Sequence, residues 1–424
     1  MTLRARRYAM LVLAFAAAAA CSQVPPAPPE SADQRAARLA QEMILVDTHI
    51  DVPYRLREKM EDISVATEKG NFDHPRARQG GLDVAFMSIY VPAKYQPEKE
   101  GGAKVVADQL IDMVEGFARD WPDKFALARS VEEARSAAAK GLVALPMGME
   151  NGAPVEGDLS NLRHFHQRGI RYITLTHSEN NQICDSSYAK EKQWNGLSPF
   201  GREVVAEMNR LGIMVDISHV SDATFYQVME LSRAPAIASH SSCRRFTEGW
   251  ERNMDDAMIE LLGKKGGVIQ INFGSGFIHP EAHKQTETLW DELKAFNKGR
   301  GVAEDTDDTP ADDFQKSYWE THKKIFADVT DVADHIDHVV KLAGIDHVGI
   351  GSDYDGVGDS LPSGLKDVSQ YPNLIRELLA RGYSEQDVAK IMGGNLLRVW
   401  TAVERLSQEA SNLNSEAAGA PTGS

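Results

Sequence analysis

The 424-residue sequence predicts an α/β fold, a (β/α)8 barrel of the TIM type. Three observations carry that reading. Eight short β-branched or apolar runs recur between residues 44 and 353, most of them followed by a segment of helical periodicity. The runs are nearly continuous in apolar character, as strands of a parallel sheet buried on both faces must be. Titratable residues gather at the C-terminal ends of those runs, the face on which such a barrel carries its chemistry. A doubly wound open sheet is the alternative, but no GxGxxG follows a strand to support dinucleotide binding. With 42% hydrophobic and 25% charged residues, whole-chain disorder and a multi-span membrane protein are excluded. A net charge of −16 argues against nucleic acid as a partner, because phosphate binding needs a basic surface.

The chain opens with MTLRARRYAMLVLAFAAAAAC, in which Arg4, Arg6 and Arg7 precede a short apolar run. This reads as a signal peptide over residues 1–20, too short to anchor the chain as a span. Its Ala-Ala-Ala-Cys ending resembles a bacterial lipoprotein processing site, with Ala18 where leucine is commonest; plain secretion with an incidental cysteine is the other reading. Lipid at Cys21 makes an exported bacterial lipoprotein, attached to membrane only through that anchor. Ser22 rather than an acidic residue follows it, which by resemblance sorts the protein to the outer membrane, facing the periplasm. Residues 21–31 are a Pro-rich tether. In that oxidising compartment Cys184 and Cys243 either pair or stay as buried thiols.

The catalytic-type domain spans 32–404. Its strands are ILVDTHID (44–51), VAFMSIYV (84–91), LVALPMGME (142–150), RYITLTH (171–177), GIMVDISH (212–219), APAIASH (234–240), GVIQINF (267–273) and HVGIGSD (347–353). Helical patterns lie at 103–121, 221–232, 253–266 and 328–344, and SPFGREVVAEMNRLG has Ser198 as N-cap, Pro199 in the first turn and Gly212 as the stop. A polar, acidic insertion at 279–320 separates strands seven and eight and is expected to hold a helix and an exposed loop over the site. Residues 405–424 read as a disordered tail. His335 and His338, three apart in DHIDHVV, read as a half-solvated helix face, and Met208, Met214 and Met254 as core filler.

His49 and Asp51 end the first strand, Glu150 the third, His177 the fourth, His219 the fifth, His240 the sixth and Asp353 the eighth. Residues two apart on a strand point the same way, so His49 and Asp51 offer two ligands from one rigid element. A lone HxD is weak, and a single strand-end histidine is ordinarily a hydrogen-bonded core residue. Their coincidence at six of eight strand ends points to a metal site.

These residues lie in VDTHIDVPYRL (46–56), RQGGLDVAFMSIYVP (78–92), GMENG (148–152), RYITLTHSENN (171–181), MVDISHVS (214–221), ASHSSCR (238–244), RRFTEGWERNM (244–254), AGIDHVGIGSDYDGV (343–357) and GGNLLRVW (393–400). Together the stretches resemble the membrane (renal) dipeptidases, zinc peptidases among the amidohydrolase-like barrels. The resemblance implies two Zn²⁺ per chain, with Mn²⁺ or Co²⁺ as other occupants. His49 and Asp51 would hold the first, His219 and His240 the second, and Glu150 would bridge them. It further implies that His177 contacts substrate, that Arg252 binds the substrate carboxylate, and that Asp353 shuttles the proton. A strand-end turn residue is the plainer reading of Asp353. The family's tyrosine after strand seven is replaced here by NFGSGF (272–277), which bears on the C-terminal residue of the substrate.

The expected function is hydrolysis of free dipeptides, C-terminal D-residues included, through a hydroxide bridging the two ions. Another binuclear barrel hydrolase, acting on a lactone, an N-acyl amino acid or a cyclic amide, is the alternative. A non-catalytic binding lipoprotein is the third reading, disfavoured because none of the implied ligands is missing. The family also suggests a homodimer.

Overall fold

The structure, a computed structural model, describes residues 30–299 and 312–419. The expected signal peptide, Cys21 and nearly all of the expected tether lie outside the described residues, as does part of the insertion. Ten strands form one sheet: β1 Leu45–Ile50, β2 Leu82–Tyr90, β3 Phe125–Leu127, β4 Val143–Leu145, β5 Met147–Glu150, β6 Ile170–Thr174, β7 Met214–Asp216, β8 Ile237–Ser241, β9 Val268–Ile271 and β10 Val348–Ile350. All pairings are parallel, running β1-β2-β5-β6-β7-β8-β9-β10. The ring closes between β10 and β1, where Asp353 N–H donates to His49 O at 3.1 Å and Asp51 N–H to Tyr354 O at 2.8 Å. The eight expected strands are thus the eight staves of a barrel.

Two strands exceed the expectation. The run at 142–150 divides at Pro146, which has no N–H to donate, into β4 and β5. Both pair with β2, at Val84–Ala144 and at Met87–Met147, so the barrel stave is β5 while β4 splays outward. The three-residue β3 then extends β4 and is too short to show a period of its own.

The floor of the barrel is plugged by large side chains. Phe86 lies 5.5 Å from the Tyr172 ring and 5.3 Å from Trp400, all three buried. Gly148 leaves room for this packing, since a Cβ there would sit 1.9 Å from the Tyr172 ring. Around the barrel, Ser198 caps the helix Pro199–Leu211 by accepting from Gly201 N–H, and Gly212 ends it at φ 82°, as the sequence predicts.

The tail expectation is corrected over 405–419, and residues 420–424 lie outside the described residues. The last helix runs Asn395–Gly419, well past residue 404. Leu406 packs against the floor cluster, Ser407 Oγ donates to Arg210 O at 2.8 Å, and Arg405 pairs with Glu409 one turn on. Small polar residues are compatible with helix once one side has something to rest on. The insertion forms the helices Pro280–Gly299 and Asp312–Thr321. His335 is also corrected: it is fully buried, its Nδ1 accepting from Cys243 N–H at 3.0 Å and its Nε2 set 3.1 Å from Ile278 O. Its partners come from distant loops, which helix periodicity cannot reveal. Cys184 and Cys243 are buried free thiols, and Met208, Met214 and Met254 lie in the core. Among the described residues no helix is long and apolar enough to cross a membrane.

Candidate metal centre

The C-terminal mouth of the barrel gathers the expected residues. β1 delivers His49 and, one residue past its end, Asp51; β5 ends on Glu150, β8 carries His240, and the turns after β6, β7 and β10 present His177, His219 and Asp353. His219 and Asp353 adopt φ of 67° and 62°, conformations that L-residues tolerate at a cost and that bend the chain back over the mouth. Gly356 completes the last turn: a Cβ there would meet Asp353 Oδ1 at 2.2 Å and Asp51 Oδ2 at 2.4 Å.

Glu150 is the centre of the cluster. Its Oε2 lies 3.3 Å from His49 Nε2, which is also 3.3 Å from Asp51 Oδ2. Its Oε1 lies 3.0 Å from His219 Nε2, 3.2 Å from His240 Nε2 and 3.6 Å from His177 Nε2. One carboxylate therefore faces two groups of donors, one with each oxygen. Three sets of nitrogen and oxygen donors lie within metal-ligating reach of one another: His49, Glu150 and His240; Glu150, His177 and His219; His49, Asp51 and Asp353.

Hydrogen bonds behind two of the imidazoles fix which nitrogen looks inward. The Tyr172 hydroxyl donates to Thr48 O at 3.0 Å, so it accepts from His49 Nδ1–H at 2.8 Å. The Ser239 hydroxyl donates to Asp216 Oδ2 at 2.6 Å, so it accepts from His240 Nδ1–H at 2.8 Å. In both rings the Nε2 lone pair is left for the site, the arrangement that orients metal-binding histidines. His49 Nε2 and Asp51 Oδ1 are buried with no hydrogen-bond partner. Tyr172, Ser239 and Asp216 were not singled out from the sequence. A tyrosine inside an otherwise apolar strand and a serine abutting His240 were the available signals.

The electrostatics agree with a cation site. Burial, and then the Arg252 cation for His219 and His49 for His240, hold both imidazoles well below their ordinary range, in the neutral ligating form. Burial alone would push Glu150 up, but the charges of His49 and His177 and the close approach of His219 and His240 hold it well below. Burial would likewise lower His49, yet Tyr172, Asp51 and Glu150 raise it well above, so the Asp51 and Glu150 carboxylates draw positive charge to Nε2, where a proton and a metal ion compete. Burial first, and then the charge of Asp51, push Asp353 up to about 7, while Asn272 Nδ2 donates to its Oδ2 at 2.7 Å. The donor set and its charge fit divalent metal ions.

Arg252 borders this cluster. Its Nη1 donates to Ser241 Oγ at 2.8 Å and its Nη2 to His240 O at 2.8 Å, while its Nε is buried without a partner. The segment that carries it is held by the Arg244–Asp222 ion pair and by Cys243 N–H on His335. Tyr90, at the end of β2, packs its ring 4.7 Å from His177. The insertion reaches the same edge, where His283 lies 4.7 Å from Trp250, itself 5.0 Å from Phe277.

Residues 33–414 match the family model for membrane dipeptidases, peptidase family M19. A dipeptidase of Schizosaccharomyces pombe is 34% identical over 400 residues, covering 90% of this chain and 86% of its own. The crystal structure of the probable dipeptidase PvdM from Pseudomonas aeruginosa is 30% identical with a TM-score of 0.73, covering 89% of this chain and 100% of its own. A metallopeptidase from Rhodobacter sphaeroides, solved with a phosphinate mimic of the dipeptide L-Ala-D-Ala, is 26% identical with a TM-score of 0.67 over 85% of this chain and 99% of its own. The chain belongs to the membrane dipeptidase family, peptidase family M19, and is a metal-dependent dipeptidase built on an amidohydrolase-like barrel.

Proposed function

We propose that the chain is a binuclear zinc dipeptidase acting on free dipeptides, C-terminal D-residues included. The observation that carries this is Glu150, whose two oxygens face separate groups of donors beside the unpartnered Nε of Arg252. His49 and Asp51 would hold one ion, His219 and His240 the other, with Glu150 shared. Mixed imidazole and carboxylate donors suit Zn²⁺, and Mn²⁺ or Co²⁺ fit the same set. Such ions supply Lewis acidity and a water of lowered pKa.

The chain's own residues perform the remaining steps. Arg252 grips the substrate's C-terminal carboxylate through its free Nε–H, which sets the distance to the scissile carbonyl and so admits a dipeptide. Asp353, poised near neutrality, takes a proton from the attacking water and returns it to the leaving amine. His177, the most exposed imidazole of the cluster, donates to the oxyanion as it develops. The D-residue reading is supported by the L-Ala-D-Ala mimic bound in the Rhodobacter relative. The leader and Cys21 support an exported lipoprotein facing the periplasm from the outer membrane, and Cys21→Ser should then yield unacylated protein.

The test is a hydrolysis screen of chelated and metal-reconstituted enzyme over dipeptides of varied chirality, with N-acyl amino acids, lactones and cyclic amides as comparators. Activity on dipeptides that vanishes with chelator and returns with Zn²⁺, Co²⁺ or Mn²⁺, at two ions per chain, is expected. Turnover of the comparators alone would favour the other class of barrel hydrolase.

A further inference from the structure

The loop between β6 and the helix Pro199–Leu211 is pinned across the mouth. Ser187 N–H donates to His219 O at 2.8 Å and Ser186 Oγ to His177 O at 2.5 Å. Lys192 Nζ ties Ser186 O at 2.7 Å to Glu251, the residue before Arg252, at 2.8 Å. Asp185 holds the far end by accepting from the backbone of Gln193, Trp194 and Gly196. This loop carries Tyr188. Its ring lies 5.8 Å from the His219 ring and meets Trp250 edge-on at 6.2 Å, and its hydroxyl lies against Arg252. The residue is 41% exposed all the same, so its ring edge forms part of the rim while its polar end turns inward.

On the other side of Arg252 the guanidinium stacks 5.3 Å over Phe277, which offers no hydroxyl. A carboxylate seated on the free Nε of Arg252 has four lone-pair sites to satisfy, and a single guanidinium edge leaves some unmet. The Ser241 hydroxyl already accepts from Nη1 of this guanidinium, and the Tyr188 hydroxyl faces it from the rim. A phenol keeps its proton at neutral pH and so can donate to a carboxylate seated there.

We infer that Tyr188 is a second carboxylate-binding residue, whose hydroxyl donates to the C-terminal carboxylate held by Arg252. Its ring, with Trp250 and Phe277, then walls the space for the side chain of that C-terminal residue. The inference rests on the dipeptidase reading and adds to it a specificity residue from the β6 loop.

Tyr188→Phe tests it, because phenylalanine keeps the ring packing and removes only the hydroxyl. A hydrogen bond to a charged group lost this way should raise KM for free dipeptides roughly 10- to 100-fold. kcat should stay within about threefold, the mark of lost uniform binding. The dissociation constant of a phosphinate dipeptide mimic should rise with KM, while dipeptide amides should show little further loss. An unchanged KM in Tyr188→Phe beside an active wild type overturns this inference alone. An equal loss on acids and amides also overturns it, since that is the signature of a displaced loop. A metal-loaded wild type that cleaves no free dipeptide overturns both this inference and the reading beneath it.

Discussion

The two halves of the cluster differ in how they are held. On the floor side, His49 and His240 are buried at 0% and 1% side-chain exposure, and each has its second nitrogen tied to a hydroxyl that is itself anchored. On the mouth side, His219 and His177 are exposed at 6% and 19%, and the Nδ1 of each has no partner. The mouth histidines lie instead under Tyr188 and Tyr90, with Arg252 alongside. The floor is thus preorganised by hydrogen bonds from inside the barrel, where no ligand can reach. The mouth keeps its polar atoms uncommitted, as a surface that must accept substrate requires.

Glu150 belongs to both halves, and its loss is expected to have the largest effect. Glu150→Gln keeps the size but removes the charge that lets two cations share one ligand. Activity should fall by at least about 10³-fold, with loss of at least one ion by elemental analysis and an unchanged melting profile for the barrel. Full turnover with both ions bound would remove Glu150 from the centre of the comparison.

Arg252 comes next and probes the mouth. Truncating a buried charge partner costs about 2–5 kcal/mol, or roughly 30- to 5,000-fold. Arg252→Ala should lose that much kcat/KM on free dipeptides and little on their amides, collapsing the preference. Because Arg252 also braces His240 O and Ser241 Oγ, the acid-to-amide ratio is the proper readout rather than the rate. Wild-type enzyme that cleaves both substrates equally well would show that the mouth does not read a carboxylate.

What was legible in the sequence follows the same division. Strand periodicity puts His49 and Asp51 on one side of β1, and the apolar runs ending in Glu150 and His240 mark the barrel mouth, so these positions follow from local pattern. The supports do not. Tyr172 on β6 meets His49 on β1 across the barrel, and Asp216 on β7 meets Ser239 on the neighbouring β8, and only the assembled sheet brings them together. Tyr188 and Arg252 sit on irregular loops with no period to read, and Arg252 entered through resemblance alone. The helical tail and the buried His335 fail for one reason: each depends on a surface supplied by another part of the chain.

His335 allows the mouth to be tested from behind, through the Cys243–Met254 segment it braces. Burial lowers its pKa from 6.5 to about 3, so the folded protein keeps it neutral while the unfolded chain takes up a proton below pH 6.5. The unfolded state then binds more protons between those values, and stability falls as pH drops through that window. The contribution is roughly 3 kcal/mol between pH 6.5 and 4. His335→Gln should unfold more readily at pH 7 yet lose less melting temperature on acidification than wild type. Parallel melting curves down to pH 4 would show that His335 is not the acid-sensitive brace.

The smallest effect should come from the floor's supports, and it separates the two halves most cleanly. Ser239 accepts from His240 Nδ1–H only because its own proton is committed to Asp216, so the pair of bonds selects one tautomer and one ring orientation. Ser239→Ala removes the acceptor without touching any metal-facing atom. His240 can then rotate or shift its proton, and metal affinity should fall about 10- to 100-fold, as loss of such supports does. Tyr172→Phe should do the same at His49, whose Nδ1–H loses its acceptor. Neither variant alters Arg252 or Tyr188, so once saturated with metal both should keep the wild-type preference for free dipeptides over amides. Chelator competition for the affinity and the acid-to-amide ratio for the mouth make the two readouts independent. A Ser239→Ala enzyme with wild-type metal affinity would mean the floor is not preorganised. One that lost the preference as well would mean that the contact between Arg252 and His240 O couples the halves into a single unit.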